Sequence, residues 1–296
     1  MEVCVKCNKE LPENNPLCPN CGFRNLSLTD TKYDNSKKLI LVEGDSFTMG
    51  YDTGLDIEKP SHPVTVSSFY ISKYAVTQTE WIEIMDNNPS DIEGDLFPVE
   101  NISWLDAILY CNKRSIKENL EPCYLINCDE ALDEYDMKSS KLQNMLQKFG
   151  WKSLEVLCDF DKNGYRLPTE AEWEFAMRGG KLSNNFQYSG SNDLDEVAWY
   201  IGNSDYTSHP VGIKKPNELG LYDMSGNVYE WCWDIFGNYT SESLVNPTGP
   251  NTGHKRVFRG GSWSSKKEYC TVSNRYFNEE NQETFNIGMR VVRSSI

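Results

Sequence analysis

The chain has 296 residues, of which 29 are Lys or Arg and 44 are Asp or Glu, for a formal net charge of −15. That balance disfavours a nucleic-acid surface, whose affinity rests on Lys and Arg contacts to phosphate. No run approaches the roughly 18 apolar residues of a membrane span, and Met1-Glu-Val-Cys4 lacks the charged-then-apolar order of a signal sequence. The expectation is a cytoplasmic protein with neither nucleic acid nor membrane as partner.

In chain order, the first feature is a CxxC…CxxC array, Cys4-Val-Lys-Cys7 and Cys18-Pro-Asn-Cys21, which takes four of the 10 cysteines. Two residues between cysteines let a tight turn aim both thiolates at one ion. Asn8 and Gly22 follow the pairs and tolerate the positive φ that closes such turns. Four thiolates satisfy tetrahedral zinc with no open position, so the expected site is structural. The alternative is a pair of disulfides, which suits an oxidising compartment. A segment this short has no apolar core of its own and needs the metal to fold. Residues 1–24 are therefore read as a zinc ribbon, similar to those fused to many bacterial proteins. Residues 25–38 are polar without sustained period and read as a linker.

The rest, 39–296, reads as one larger α+β domain. Leu39-Ile-Leu-Val42, Phe47-Thr-Met-Gly50 and Pro63-Val-Thr-Val66 read as strand segments. Thr77 with Glu80 three positions on forms a capping box that opens a helix. Ser103-Trp-Leu-Asp106 opens a second helix running to about Ser115. Thr169-Glu-Ala-Glu172, after Pro168, opens a third that ends at Gly179-Gly180. Residues 120–160 look like an insertion, with a short helix at Leu142–Lys148. Beyond the third helix the chain reads as loops rich in Trp, Tyr and Gly.

The ordered motifs Val76-Thr-Gln-Thr-Glu-Trp81, Pro98-Val-Glu-Asn-Ile-Ser-Trp104, Gly164-Tyr-Arg-Leu-Pro-Thr-Glu-Ala-Glu-Trp-Glu174, Gly220-Leu-Tyr-Asp-Met-Ser-Gly-Asn-Val-Tyr-Glu-Trp231, Arg259-Gly-Gly-Ser-Trp263 and Asn286-Ile-Gly-Met-Arg290 resemble the formylglycine-generating-enzyme, or sulfatase-modifying-factor, family over about residues 39–296. The resemblance implies a C-type-lectin-like fold with little regular secondary structure. Read as residues, most of these motifs hold a loop-rich fold together, with Arg166 and Arg290 pairing with buried acids.

The family oxidises a substrate cysteine with copper(I) held on two thiolates, a soft-ligand site. The matching positions here are Ser265 and Cys270. A hydroxyl is a hard, weakly acidic donor, so a copper oxidase is not expected, and Cys270 stands as the one surviving candidate for a catalytic role. The bland reading of Cys270 and Cys232 is a buried free thiol. Relatives that use iron for sulfur oxidation draw on clustered histidines, whereas His62, His209 and His254 are widely spaced.

At Asp223-Met-Ser-Gly226-Asn-Val228-Tyr-Glu230 two carboxylates flank a glycine, and a hard cation takes six to eight oxygens, carbonyls included. The resemblance implies a structural calcium held by the side chains of Asp223 and Glu230 and the carbonyls of Gly226 and Val228. The alternative is a tight turn with a capping acid. A second family calcium site is not expected, because Asn203–Pro210 lacks the acidic loop.

The segment after Trp263 is rich in Ser, Asn, Tyr and Phe, residue types that make adaptable contacts of low entropy cost, and it resembles the diversified loops of some lectin-fold proteins. Ser262, Trp263, Ser264, Ser265, Tyr269, Asn274, Arg275, Tyr276 and Asn278 are read as a face for a protein, peptide or small ligand, against the alternative of an ordinary surface loop. The leading expectation is a ligand-binding member without oxidase activity; the competing one is an oxidoreductase that converts a substrate cysteine.

Overall fold

The computed structural model of the chain describes residues 39–127 and 155–295, together with Lys9. The expected zinc ligands Cys4, Cys7, Cys18 and Cys21, the linker and the helix at 142–148 lie outside the described residues.

Three helices start where a side chain satisfies the orphaned amides of the first turn. In α1 (Gln78–Met85), α2 (Trp104–Lys117) and α3 (Glu170–Met177), the N-cap Thr77, Ser103 or Thr169 accepts from the N3 amide, and Glu80, Asp106 or Glu172 reaches back to the cap amide. A one-turn helix, α4, spans Leu194–Val197. The strands are short: β1 Leu39–Val42, β2 Asp45–Met49, β3 His62–Val66, β4 Phe69–Ser72, β5 Tyr124–Asn127, β6 Glu155–Cys158, β7 Tyr229–Ile235, β8 Leu244–Val245, β9 Lys255–Arg259, β10 Arg275–Glu279, β11 Ile287–Gly288 and β12 Val292–Ser294.

They form small sheets in the orders β1-β4-β12, β10-β9-β7-β11, β2-β3-β8 and β5-β6. The four-stranded sheet lies in the stretch that reads from sequence as loops. β7, Tyr-Glu-Trp-Cys-Trp-Asp-Ile, and β9, Lys-Arg-Val-Phe-Arg, are buried at nearly every position. A strand covered on both faces has no inside–outside alternation to read. β5 pairs with β6 antiparallel from Tyr124↔Cys158 to Asn127↔Glu155. The inserted segment therefore leaves and re-enters the domain through a two-stranded ladder whose inner residue, Tyr124, is in the core.

The two larger apolar clusters lie at the centre of the described domain. One joins α1 and α2 to β7 and β9 through Trp81, Trp104, Tyr110, Trp231 and Phe258, with Trp81 stacked on Tyr110 at 5.1 Å. The other lies under α3, where Trp173, Phe175 and Met177 meet Val42, Val64, Phe69 and Ile71. Buried guanidiniums join the elements: Arg166 to Glu172, Arg259 to Glu174, Arg275 to Glu170 and Arg290 to Glu230. Arg166 and Arg290 thus pair with acids as the sequence implies. Breaking such a buried pair by removing one partner costs about 3–5 kcal/mol, because the other charge is stranded.

Candidate ligand-binding site at the Gly-Gly-Ser turn

β9 ends at Arg259 and runs into Gly260 and Gly261, with φ of 102° and 79°. A side chain at Gly261 would meet the Cys270 sulfur at 2.6 Å and the Tyr269 carbonyl at 2.9 Å. Glycine is required there both by the left-handed backbone and by the close approach of the following loop. The turn is tied to the preceding segment by Gly226 N donating to the Gly260 carbonyl at 2.8 Å and Trp263 N donating to the Asn227 carbonyl at 2.7 Å.

Beyond the turn lies a chain of hydroxyls. Ser262 N donates to Ser265 Oγ at 2.9 Å, and Ser265 Oγ donates to the Tyr229 hydroxyl at 3.0 Å. Ser262 Oγ is 3.1 Å from both Ser264 Oγ and Ser265 Oγ. Asn286 Nδ2 donates to Ser264 Oγ at 3.0 Å and Ser262 Oγ at 3.3 Å. Burial pushes the Tyr229 hydroxyl well above its usual range, so it stays protonated while it accepts from Ser265. Ser262 and Ser265 are buried, while Trp263, Ser264, Tyr269, Tyr276 and Asn278 are partly exposed.

Flanking loops supply an apolar rim. Ile201 N donates to the Ser265 carbonyl at 3.0 Å, Ser204 Oγ to the Trp263 carbonyl at 2.8 Å, and Phe285 lies 5.7 Å from the Trp263 ring. Tyr206 is 71% and Phe285 48% exposed, unusual for aromatics that have a core available. Sequence reasoning missed Tyr229, Asn286, Ile201, Tyr206 and Phe285 as site residues. Tyr229 and Asn286 sit in quoted motifs, but their proximity to the serines is a product of the fold.

Two residues expected on this face are not on it. Arg275 is 2% exposed, and its Nε and Nη2 donate to Glu170 at 2.7 and 2.6 Å. Asn274 is 1% exposed and its Nδ2 donates to Glu58 at 3.0 Å. Arg275, opposite Arg259 at the start of β10, and Asn274 just before the strand both turn into the protein toward carboxylates.

Cys270 is fully buried, packed with Tyr188, Leu194, Val197, Ala198 and Tyr200. Burial pushes its thiol up to about 12, and Sγ is 3.7 Å from the Lys266 carbonyl. A thiol held neutral is neither nucleophile nor good metal ligand. Cys232 belongs to the separate cluster under α3. With the Ser265 hydroxyl bonded to Tyr229 and Cys270 neutral, this pair does not fit a soft two-thiolate copper site.

In the Asp223–Glu230 loop the two carboxylates differ. Asp223 Oδ2 accepts from Gly212 N at 2.7 Å, whereas its buried Oδ1 has no partner among the described residues. Burial raises this carboxyl to about 6. Glu230 takes Trp173 Nε1 at 2.7 Å and Arg290 at 2.9–3.2 Å on both oxygens. Asp223 thus has a free oxygen for a cation, whereas Glu230 is already occupied. Gly226 is held by the approach of the Trp199 carbonyl, 2.3 Å from where a Cβ would sit.

This loop-rich α+β scaffold, with its Gly-Gly-Ser turn after the central strand, defines a sulfatase-modifying-factor-type domain. The family model described as the sulfatase-modifying factor enzyme 1-like domain matches residues 25–295, and the chain belongs to that family. It is 42% identical over 276 residues to the chaperone protein LppX of Paenibacillus barcinonensis, covering 88% of this chain and 90% of the relative. It is 38% identical over 272 residues to the formylglycine-generating enzyme of Streptomyces coelicolor, covering 83% and 84% respectively. Among solved structures it is similar to Treponema denticola variable protein 1, with a TM-score of 0.78 and 36% identity over 86% of this chain and 94% of that one.

Proposed function

We propose that the chain is a non-oxidase member of its family. On a C-type-lectin-like scaffold, it would bind a protein, peptide or small ligand at the hydroxyl floor of Ser262, Ser264, Ser265, Tyr229 and Asn286, inside the rim of Ile201, Tyr206, Trp263 and Phe285. One observation carries this reading: the hydroxyl of Ser265 stands where the family resemblance implies a copper thiolate and donates to Tyr229, joining a neutral hydrogen-bonding surface. Such a floor offers both donors and acceptors, and an exposed aromatic rim gives contact area at low entropy cost. The names of two relatives, a chaperone and a variable protein, accord with binding rather than oxidation.

The test has two arms. Peptides selected from a random library on the full chain are expected to bind the wild type and to lose about tenfold or more with Tyr206→Ala or Phe285→Ala. Oxygen uptake with copper and a cysteine-containing peptide is expected to stay at the protein-free rate; cysteine-dependent uptake would overturn the proposal in favour of an oxidase.

The same proposal includes two structural ions. Zinc is assigned to Cys4, Cys7, Cys18 and Cys21 from their spacing. Calcium is assigned in weaker form than the sequence implies, to Asp223 Oδ1 with the carbonyls of Gly226 and Val228, since Arg290 already neutralises Glu230. Removing calcium with a chelator is expected to lower the unfolding temperature of the wild type and not that of Asp223→Asn; equal behaviour of the two proteins contradicts the assignment.

A further inference from the structure

A cavity of about 330 Å³ opens beside the start of α3 and the end of β7, and its lining shares no residue with the Gly-Gly-Ser site. Its wall includes Met49, His62, Glu170, Asp234, Tyr239 and Thr248. Two of these side chains are almost wholly buried yet keep a polar atom free. His62 is 3% exposed, and its Nδ1 is 3.1 Å from the Pro60 carbonyl. A carbonyl can only accept, so Nδ1 carries a proton; Nε2 has no partner among the described residues and accepts whenever the imidazole is neutral. Asp234 is 4% exposed; its Oδ2 accepts from Glu170 N at 2.7 Å, and its Oδ1 has no partner among the described residues.

The two groups are joined by a short path of contacts. The His62 ring lies 4.7 Å from Tyr239, the Tyr239 hydroxyl donates to Glu170 Oε1 at 3.1 Å, and the Glu170 amide donates to Asp234. Glu170 is neutralised by Arg275, which donates to both of its oxygens. The Arg275 guanidinium is otherwise turned to the carbonyls of Ile57 and Gly237 and to the Tyr239 ring. Asp234 is therefore the carboxyl in this wall without a direct ion pair among the described residues; Arg256 and Arg275 act on it only from a distance.

We propose that this cavity binds a small ammonium compound, whose N–H donors are taken by Asp234 Oδ1 and His62 Nε2. Once ionised, Asp234 offers only acceptors, as does Nε2 of a neutral imidazole, so the ligand must bring donors, and a cationic ligand pairs with the carboxylate. The volume is at the small end of the roughly 300–1,000 Å³ range of ligand pockets, which suits a compound of a few heavy atoms. Glu170, Glu172, Arg256 and Arg275, with the Cys232 thiol, are the charged and titratable groups that act on Asp234, and burial together with Glu170 holds its carboxyl up to about 8. At pH 7 the empty site holds the proton on Asp234, and a bound cation displaces it. Affinity therefore rises with pH up to about 8 and then levels off, and binding at pH 7 releases a proton.

Calorimetric titration of the full chain with ethanolamine tests this, with glycerol and acetate as neutral and anionic controls. Ethanolamine is expected to bind saturably, with proton release seen as a dependence of the heat on buffer ionisation. Asp234→Asn keeps an oxygen for the Glu170 amide and is expected to weaken binding about tenfold or more. Thr248→Trp fills the cavity mouth from its partly exposed side and is expected to abolish binding, which keeps the test decisive if Asp234→Asn fails to fold. Glycerol or acetate binding as tightly as ethanolamine, unchanged affinity in Thr248→Trp, or no saturable heat with the wild type would overturn the proposal.

Discussion

At the scale of single residues, the contrast between Ser265 and Cys270 decides what the turn can do. A thiol raised to about 12 and a hydroxyl bonded to Tyr229 supply no pair of soft anions near neutral pH. Gly261 is the residue on which this geometry most depends. Gly261→Ala places a methyl against Cys270 Sγ and a carbonyl at a φ of 79°. It is expected to destabilise the domain by about 2–4 kcal/mol, read as a lower denaturation midpoint. Adding Cys270→Ala removes the nearer clash and is expected to restore part of that loss, a non-additivity measurable in a double-mutant cycle. Full additivity would mean that the two residues do not touch.

At the scale of elements, the sequence was most legible where chemistry is local. Thr77, Ser103 and Thr169 announce their helices because a capping box is written within four consecutive residues. Replacing any one with Ala is expected to cost about 0.5–2 kcal/mol in chemical denaturation. Thr169→Ala is expected to cost most, because Glu172, which answers that cap, also holds Arg166; an equal or smaller loss than for Thr77→Ala would contradict this. The central sheet was not legible, since β7 and β9 are buried on both faces and carry no period. The site was legible in part. Ser262, Trp263, Ser264 and Ser265 follow an evident Gly-Gly turn, but Asn274 and Arg275 read as surface residues from their type alone. Only their hydrogen bonds in the folded chain show that they face Glu58 and Glu170. The rim residues Tyr206 and Phe285 come from distant loops, and no spacing rule connects them to Ser265.

At the scale of the whole molecule, buried carboxyls set how stability responds to pH. Glu100 is fully buried, with Oε1 accepting from Asp91 N and Ile92 N while Oε2 has no partner among the described residues. Burial raises its carboxyl to about 7. Between the unfolded value near 4.5 and about 7 the folded state therefore holds the extra proton, so stability falls as pH rises through that window. Glu100→Gln keeps an acceptor for the two amides and removes the charge. The variant is expected to lose about 1–3 kcal/mol less stability than the wild type between pH 5 and pH 8, measured by denaturant unfolding at each pH. Identical pH profiles would show that Glu100 ionises freely in the folded protein.

The scaffold of the family is intact in this chain, and the two positions implied for copper hold a hydroxyl and a neutral, buried thiol. A copper(I) competition titration compares the wild type with Ser265→Cys most directly, under conditions where residues 1–24 are saturated with zinc. The account predicts that the wild type takes up no copper(I) at Cys270, and that Cys270→Ala leaves its titration curve unchanged. Ser265→Cys is expected to gain a tighter site that depends on Cys270. Tight uptake by the wild type that is lost in Cys270→Ala would contradict the account.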